Sequence, residues 1–136
     1  MLRHFISALF ITAIWINIGV AQEEIDPIEF HTFPPELVIK YQKAIGLSET
    51  QRNAIKKEVV DGQKRFTELE WDMQQKMEIL ISKISQEKVD EQAAQTDLKS
   101  ILALEEQMKL AQLTLLIRIK NTLTSEQQNQ LRELRN

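Results

Sequence analysis

Between residues 55 and 84 the apolar side chains recur at intervals of three and four. Wound at about 100° per residue, Ile55, Val59, Phe66, Leu69, Met73, Met77, Leu80 and Ile84 fall on one narrow stripe. The pattern predicts a long amphipathic helix from Ser48 to about residue 84, on the order of 50 Å in length. Gly62 lies on the same stripe, so either a second helix approaches closely there or the helix bends. Residues 85–90 are polar and break the pattern, which predicts a turn. Asp90 is the expected N-cap of the next helix, with Glu91 beside the positive end of its dipole. In that helix Ile101, Leu104, Met108, Ala111, Leu115 and Ile119 form a stripe that can pair with the first. A further set, Leu102, Leu110, Leu113, Leu116 and Ile117, points elsewhere. From 110 to 119 the helix is therefore apolar nearly all round, and one partner helix cannot cover it. The short flanking helices or a second subunit must cover the excess, with Leu110, Leu113, Leu116 and Ile117 as the expected dimer contacts.

Two shorter helices flank this pair. One is expected over residues 36–45, with Pro34 and Pro35 at its start and Gly46 as its stop. The last begins at Thr124, carries Leu131 and Leu134, and ends with Arg132 and Arg135 near its negative pole. Before them, residues 22–35 have no helical period and contain Pro27, Pro34 and Pro35. They read as a loose arm that Phe30 and Phe33 can tack to the body.

Composition agrees with long helices. The 136 residues contain three Gly, three Pro and no Cys, so disulfides, thiolate metal sites and cysteine nucleophiles are excluded. The net charge of −3 is a poor electrostatic match for nucleic acid. Arg3 and His4 precede an apolar run over residues 5–20, and Gly19-Val20-Ala21 supplies small residues at a cleavage position. Residues 1–21 are thus expected to be an export signal, placing the protein in the periplasm. The alternative is retention of this segment as an inner-membrane anchor, with the helical domain of 36–136 facing the periplasm.

The residues opening two of these helices repeat a frame. Leu47-Ser48-Glu49-Thr50-Gln51 returns as Leu123-Thr124-Ser125-Glu126-Gln127. In each, a hydroxyl N-cap (Ser48, Thr124) is followed three positions later by Gln51 or Gln127, the spacing of a capping box. The preceding leucine can serve as a hydrophobic staple. These frames resemble the LTxxQ signature of the Spy/CpxP group of small bacterial periplasmic proteins, a superfamily that also contains heavy-metal-resistance sensors. The first copy departs from it by having Ser48 for Thr. The resemblance covers roughly residues 36 to 135 and implies an all-α, elongated four-helix hairpin that dimerises. For Spy-like members it implies an ATP-independent hold on unfolded polypeptides, and for CpxP-like members docking on a membrane sensor kinase. For the sensors it implies His, Glu and Met ligands to a divalent transition metal.

Catalysis has little to work with: no Cys is present and, beyond the apolar leader, His31 is the sole histidine. No enzyme activity and no cofactor are expected. Asp26, Glu29 and His31 in the arm, with Met73, Met77 and Met108 on the helices, are the metal candidates. The methionines share stripes with Leu and Ile and read better as core, and no His pair stands at helical spacing. Lys57, Val60, Lys64 and Trp71 lie in a narrow arc opposite the Leu/Met stripe. They are read as a solvated face with one Trp or the edge of a dimer contact, or as a surface for client or partner binding. The expectation is therefore a non-catalytic stress protein of Spy/CpxP type that binds misfolded polypeptides or a sensor partner. The alternative is a metal-responsive regulator.

Overall fold

The computed structural model describes residues 27–135; the expected export segment and the first residues of the arm lie outside the described residues. The chain is all-α. The four expected helices are present: α2 (Pro35–Tyr41), α3 (Glu49–Ile84), α4 (Glu91–Thr122) and α5 (Ser125–Arg135), preceded by α1 (Pro27–His31), a single helical turn in the arm.

Each boundary follows from local chemistry. Pro35 opens α2, where a missing N–H costs nothing. The helical turns continue past Tyr41 until Gly46 adopts φ +61°. There the Leu47 N–H bonds the Gln42 carbonyl at 2.9 Å and the Gly46 N–H bonds that of Lys43 at 3.2 Å, the paired bonds of a Schellman stop. Ser48 then caps α3 through the Gln51 N–H, and Asp90 caps α4 through the Ala93 N–H.

Helices α3 and α4 form an antiparallel hairpin. Its register is marked by Arg118 to Glu58 at 2.9 Å, Arg65 to Gln107 at 2.8 Å, and Lys83 to Asp97 at 2.5 Å near the tip. Gly62 faces Leu115: a Cβ at Gly62 would stand 3.3 Å from Leu115 Cδ2. Of the two readings of this glycine, close approach of a second helix is therefore the one the packing supports.

The main core sits at the base of the hairpin. There Phe33, Val38, Ile45, Leu47, Ile55, Ile119, Leu123 and Leu131 pack together, drawn from the arm and every long element. Further out, Leu69, Ile101 and Leu104 are buried between α3 and α4 alone. Two helices bury one stripe each and no more. Beyond residue 80 every side chain as far as Gln92 is exposed, Ile81, Ile84 and Val89 among them.

The arm is docked from Pro27 onward rather than loose. Phe33 is fully buried, beneath the guanidinium groups of Arg132 and Arg135 at 5.6 and 5.5 Å from its ring centre. Arg135 donates to the carbonyls of Glu29, Phe30 and Thr32, and Lys120 donates to that of His31. These cations satisfy the carbonyls that a one-turn helix leaves open. Phe30, the other expected tack, stays half exposed, its ring edge-on to that of His31.

Candidate functional site

The two Leu-hydroxyl-x-x-Gln frames are distant in sequence and adjacent in space. Both capping boxes are complete. Ser48 Oγ accepts from the Gln51 N–H at 3.1 Å while Gln51 Oε1 accepts from the Ser48 N–H at 3.1 Å. Thr124 and Gln127 repeat the pair at 3.2 and 3.0 Å. The glutamines then bond each other: Gln51 Nε2 to Gln127 Oε1 at 2.8 Å, and Gln127 Nε2 to Gln51 Oε1 at 3.0 Å. Their remaining amide protons go to the carbonyls of Thr122 and Ile45. Every donor and acceptor of the two amides is used, which a buried amide requires. Leu47 and Leu123, the staples, are buried beside them. This clasp joins the entrance of α3 to the entrance of α5 and closes the base. The repeated frame was the only sequence feature pointing to it, and that frame read as two separate caps.

The binding arc lies on the outer side of α3. Lys57, Val60, Lys64 and Trp71 are all exposed, Trp71 at 64% and Val60 at 55%. Lys57 is tied to Asp61 at 2.6 Å. The hydrogen bond and charge of Asp61 raise the Lys57 pKa, and Lys57 in turn lowers that of Asp61. Lys57 is therefore locally neutralised, and Lys64 is the freer cation of the two. Val60 belongs to a feature absent from the sequence reading. Val38, Ile39, Leu47, Ile55, Val59 and Val60 line an apolar groove of about 250 Å³ between α2 and α3, with Arg52 and Lys56 at its rim. Ile39, which carried no role in the periodicity, is 55% exposed at its edge.

The four expected dimer contacts divide. Leu110 and Ile117 are exposed and Leu113 is half-buried, whereas Leu116 is buried within its own chain. Leu116 is thus not available to a second subunit: the arm and the start of α2 converge with α3 on this part of α4, around a hollow of about 610 Å³.

The metal candidates do not converge. His31 is at the base, its carbonyl held by Lys120. Met73 and Met77 are one turn apart in the outer half of α3, and Met108 lies on α4 across from the middle of α3, next to the Arg65–Gln107 contact. Lys120 and Met108 alone are separated by about 18 Å along the helix. Among the described residues no three His, Cys, Asp or Glu side chains are grouped as ligands. Glu29 stands in the arm turn, its backbone carbonyl accepting from Arg135; Asp26 lies outside the described residues. Among the described residues the candidate donors do not gather into the several convergent ligands that a divalent transition-metal site wants. No described helix is long and apolar enough to cross a membrane.

An antiparallel helical hairpin closed by twin Leu-hydroxyl-x-x-Gln caps, the first with Ser48 in place of Thr, defines the class, the Spy/CpxP-like LTxxQ superfamily. Within it, the profile of the heavy-metal resistance family matches residues 41–130, and the chain belongs to that family. No curated protein and no solved structure matches the chain.

Proposed function

We propose that this protein is exported to the periplasm and acts without catalysis, holding an apolar segment of another polypeptide against its base groove. The segment belongs to a misfolded chain or to a membrane sensor protein. The observation that carries the reading is the groove itself. It is lined by Val38, Ile39, Leu47, Ile55, Val59 and Val60, rimmed by Arg52 and Lys56, and continued outward on α3 by Lys64 and Trp71. Such a surface offers area to apolar side chains and a loose attraction to acidic ones. A test is light scattering by reduced α-lactalbumin as it aggregates. The wild type should suppress the scattering, and Ile39→Glu, Val60→Glu and Trp71→Ala should each weaken suppression while leaving the helical signal intact. Absence of suppression by the wild type, or full suppression by all three variants, would overturn the proposal.

The family match favours a second reading, a metal-responsive regulator. Titration calorimetry with nickel, zinc and copper distinguishes it. A sub-micromolar stoichiometric site lost in His31→Ala or Met73→Leu would put this reading first.

A further inference from the structure

Arg52 and Lys56 stand one turn apart on α3, both at the rim of the groove between α2 and α3, so two positive charges repel each other there. Among the described residues neither makes an ion pair, and no carboxylate lines the groove. The chain as a whole carries 20 acidic residues against 17 basic ones. The hollow beneath the arm includes Glu29 and Glu36, and a shallower one against Leu102 and Leu110 of α4 includes Glu105 and Glu106. The groove differs from both in leaving its cations without a local anion. Arg52 is also held in place. Its Nε donates to Gln42 Oε1 at 3.1 Å, and Gln42 Nε2 donates to the Ile39 carbonyl at 3.1 Å. The outer guanidinium N–H groups of Arg52 and the Lys56 ammonium are left as donors, while the side-chain amide in the groove is already engaged. Everything else along the groove is aliphatic.

We infer that the groove binds an acyl-chain carboxylate, its head between Arg52 and Lys56 and its tail laid toward Val60. From Arg52 to Val60 α3 rises about 12 Å. A cavity of about 150 Å³ holds benzene, so the groove's volume of about 250 Å³ takes on the order of ten chain carbons. A carboxylate accepts and does not donate, which matches a rim that donates and has no acceptor to spare. Methylene groups need no polar partner, which matches an aliphatic floor. The carboxyl end of a polypeptide fits less well. Its backbone would bring N–H groups onto that floor, where Gln42 Oε1 is already taken by Arg52. The inference goes beyond the polypeptide reading, which needs only apolar side chains to reach the same floor. Both occupants cover Ile39 and Val60, so the carboxylate excludes the polypeptide.

Titration calorimetry of the purified protein at neutral pH tests this with decanoate, decan-1-ol and an acetylated Gly-Val-Val-Ile peptide bearing a free carboxylate. Decanoate should bind at a single site per chain, about tenfold or more tighter than decanol, which keeps the tail and lacks the charge. Arg52→Gln and Lys56→Gln should each weaken decanoate about threefold or more and leave decanol within about twofold. Lys99→Gln, away on α4, should change neither. No saturable decanoate binding would overturn the inference. So would decanol binding as well as decanoate, rim variants no weaker than Lys99→Gln, or the peptide binding more tightly than decanoate. The α-lactalbumin assay fails or succeeds separately. Decanoate binding without suppression of scattering removes the polypeptide reading alone, and suppression without decanoate binding removes this inference alone.

Discussion

The side chains of Gln51 and Gln127 bond each other reciprocally, amide to amide, while each also completes the capping box of its own helix. Each Oε1 thus serves both local capping and tertiary closure, and each Nε2 serves the closure alone. The arrangement explains why glutamine rather than glutamate stands at both positions. A carboxylate could accept from the cap N–H but could not donate to the opposite glutamine or to the carbonyls of Thr122 and Ile45.

Replacing either glutamine should therefore cost more than a cap. Gln51→Leu or Gln127→Leu leaves the opposite amide and one carbonyl short of partners, a loss of about 1–3 kcal/mol. Gln127→Glu should also destabilise, despite keeping the acceptor. In urea titrations the double variant should lose less than the sum of the singles, because the two share one interaction. Strict additivity would show the amide pair to be absent in solution.

The caps make a separate prediction. Ser48→Ala and Thr124→Ala each remove the acceptor for an N3 backbone N–H and should cost about 0.5–2 kcal/mol. Ser48→Asp and Thr124→Asp retain an acceptor and place negative charge at a positive helix end, so they should cost little. Equal losses from Ala and Asp would contradict the observed bonds.

Arg135 should act as the latch of the arm. Its guanidinium reaches three carbonyls of residues 29–32 and covers the Phe33 ring. Arg135→Ala should increase amide exchange at residues 28–33 while protection in the middle of α3 stays unchanged. Arg135→Lys should not restore protection, since a single ammonium cannot fork to carbonyls set around it. Unaltered exchange in Arg135→Ala would mean that Phe33 alone holds the arm.

The Lys57–Asp61 pair sets a pH window. The Asp61 carboxyl is held below its ordinary value of 3.8 by the hydrogen bond and charge of Lys57. Its contribution is present above that value and fades as pH falls through the lower folded-state pKa. Lys57 is raised above 10.5 by the hydrogen bond and charge of Asp61. Its contribution is complete below that value and fades as pH rises through the higher one. Both side chains are exposed, so salt should flatten the effect. Carbon NMR should find Asp61 titrating below 3.8 at low salt and returning toward it in Lys57→Met.

The helices and their ends were legible in the sequence because their causes are local. Ser48, Asp90 and Thr124 cap through atoms three residues away, Gly46 stops its helix through its own φ, and the stripes of α3 and α4 repeat every turn. Nothing in such short-range information says which turn of one element faces which turn of another. Tertiary packing decided that Gln51 meets Gln127, that Gly62 receives Leu115, and that Phe33 is buried while Phe30 is not. It also decided that Leu116 is spent inside its own chain while Leu110 and Ile117 face outward, although all three belong to one apolar run. Periodicity places a side chain around a helix axis. Burial depends on what the arm and the short helices, themselves without a clear period, bring to that side.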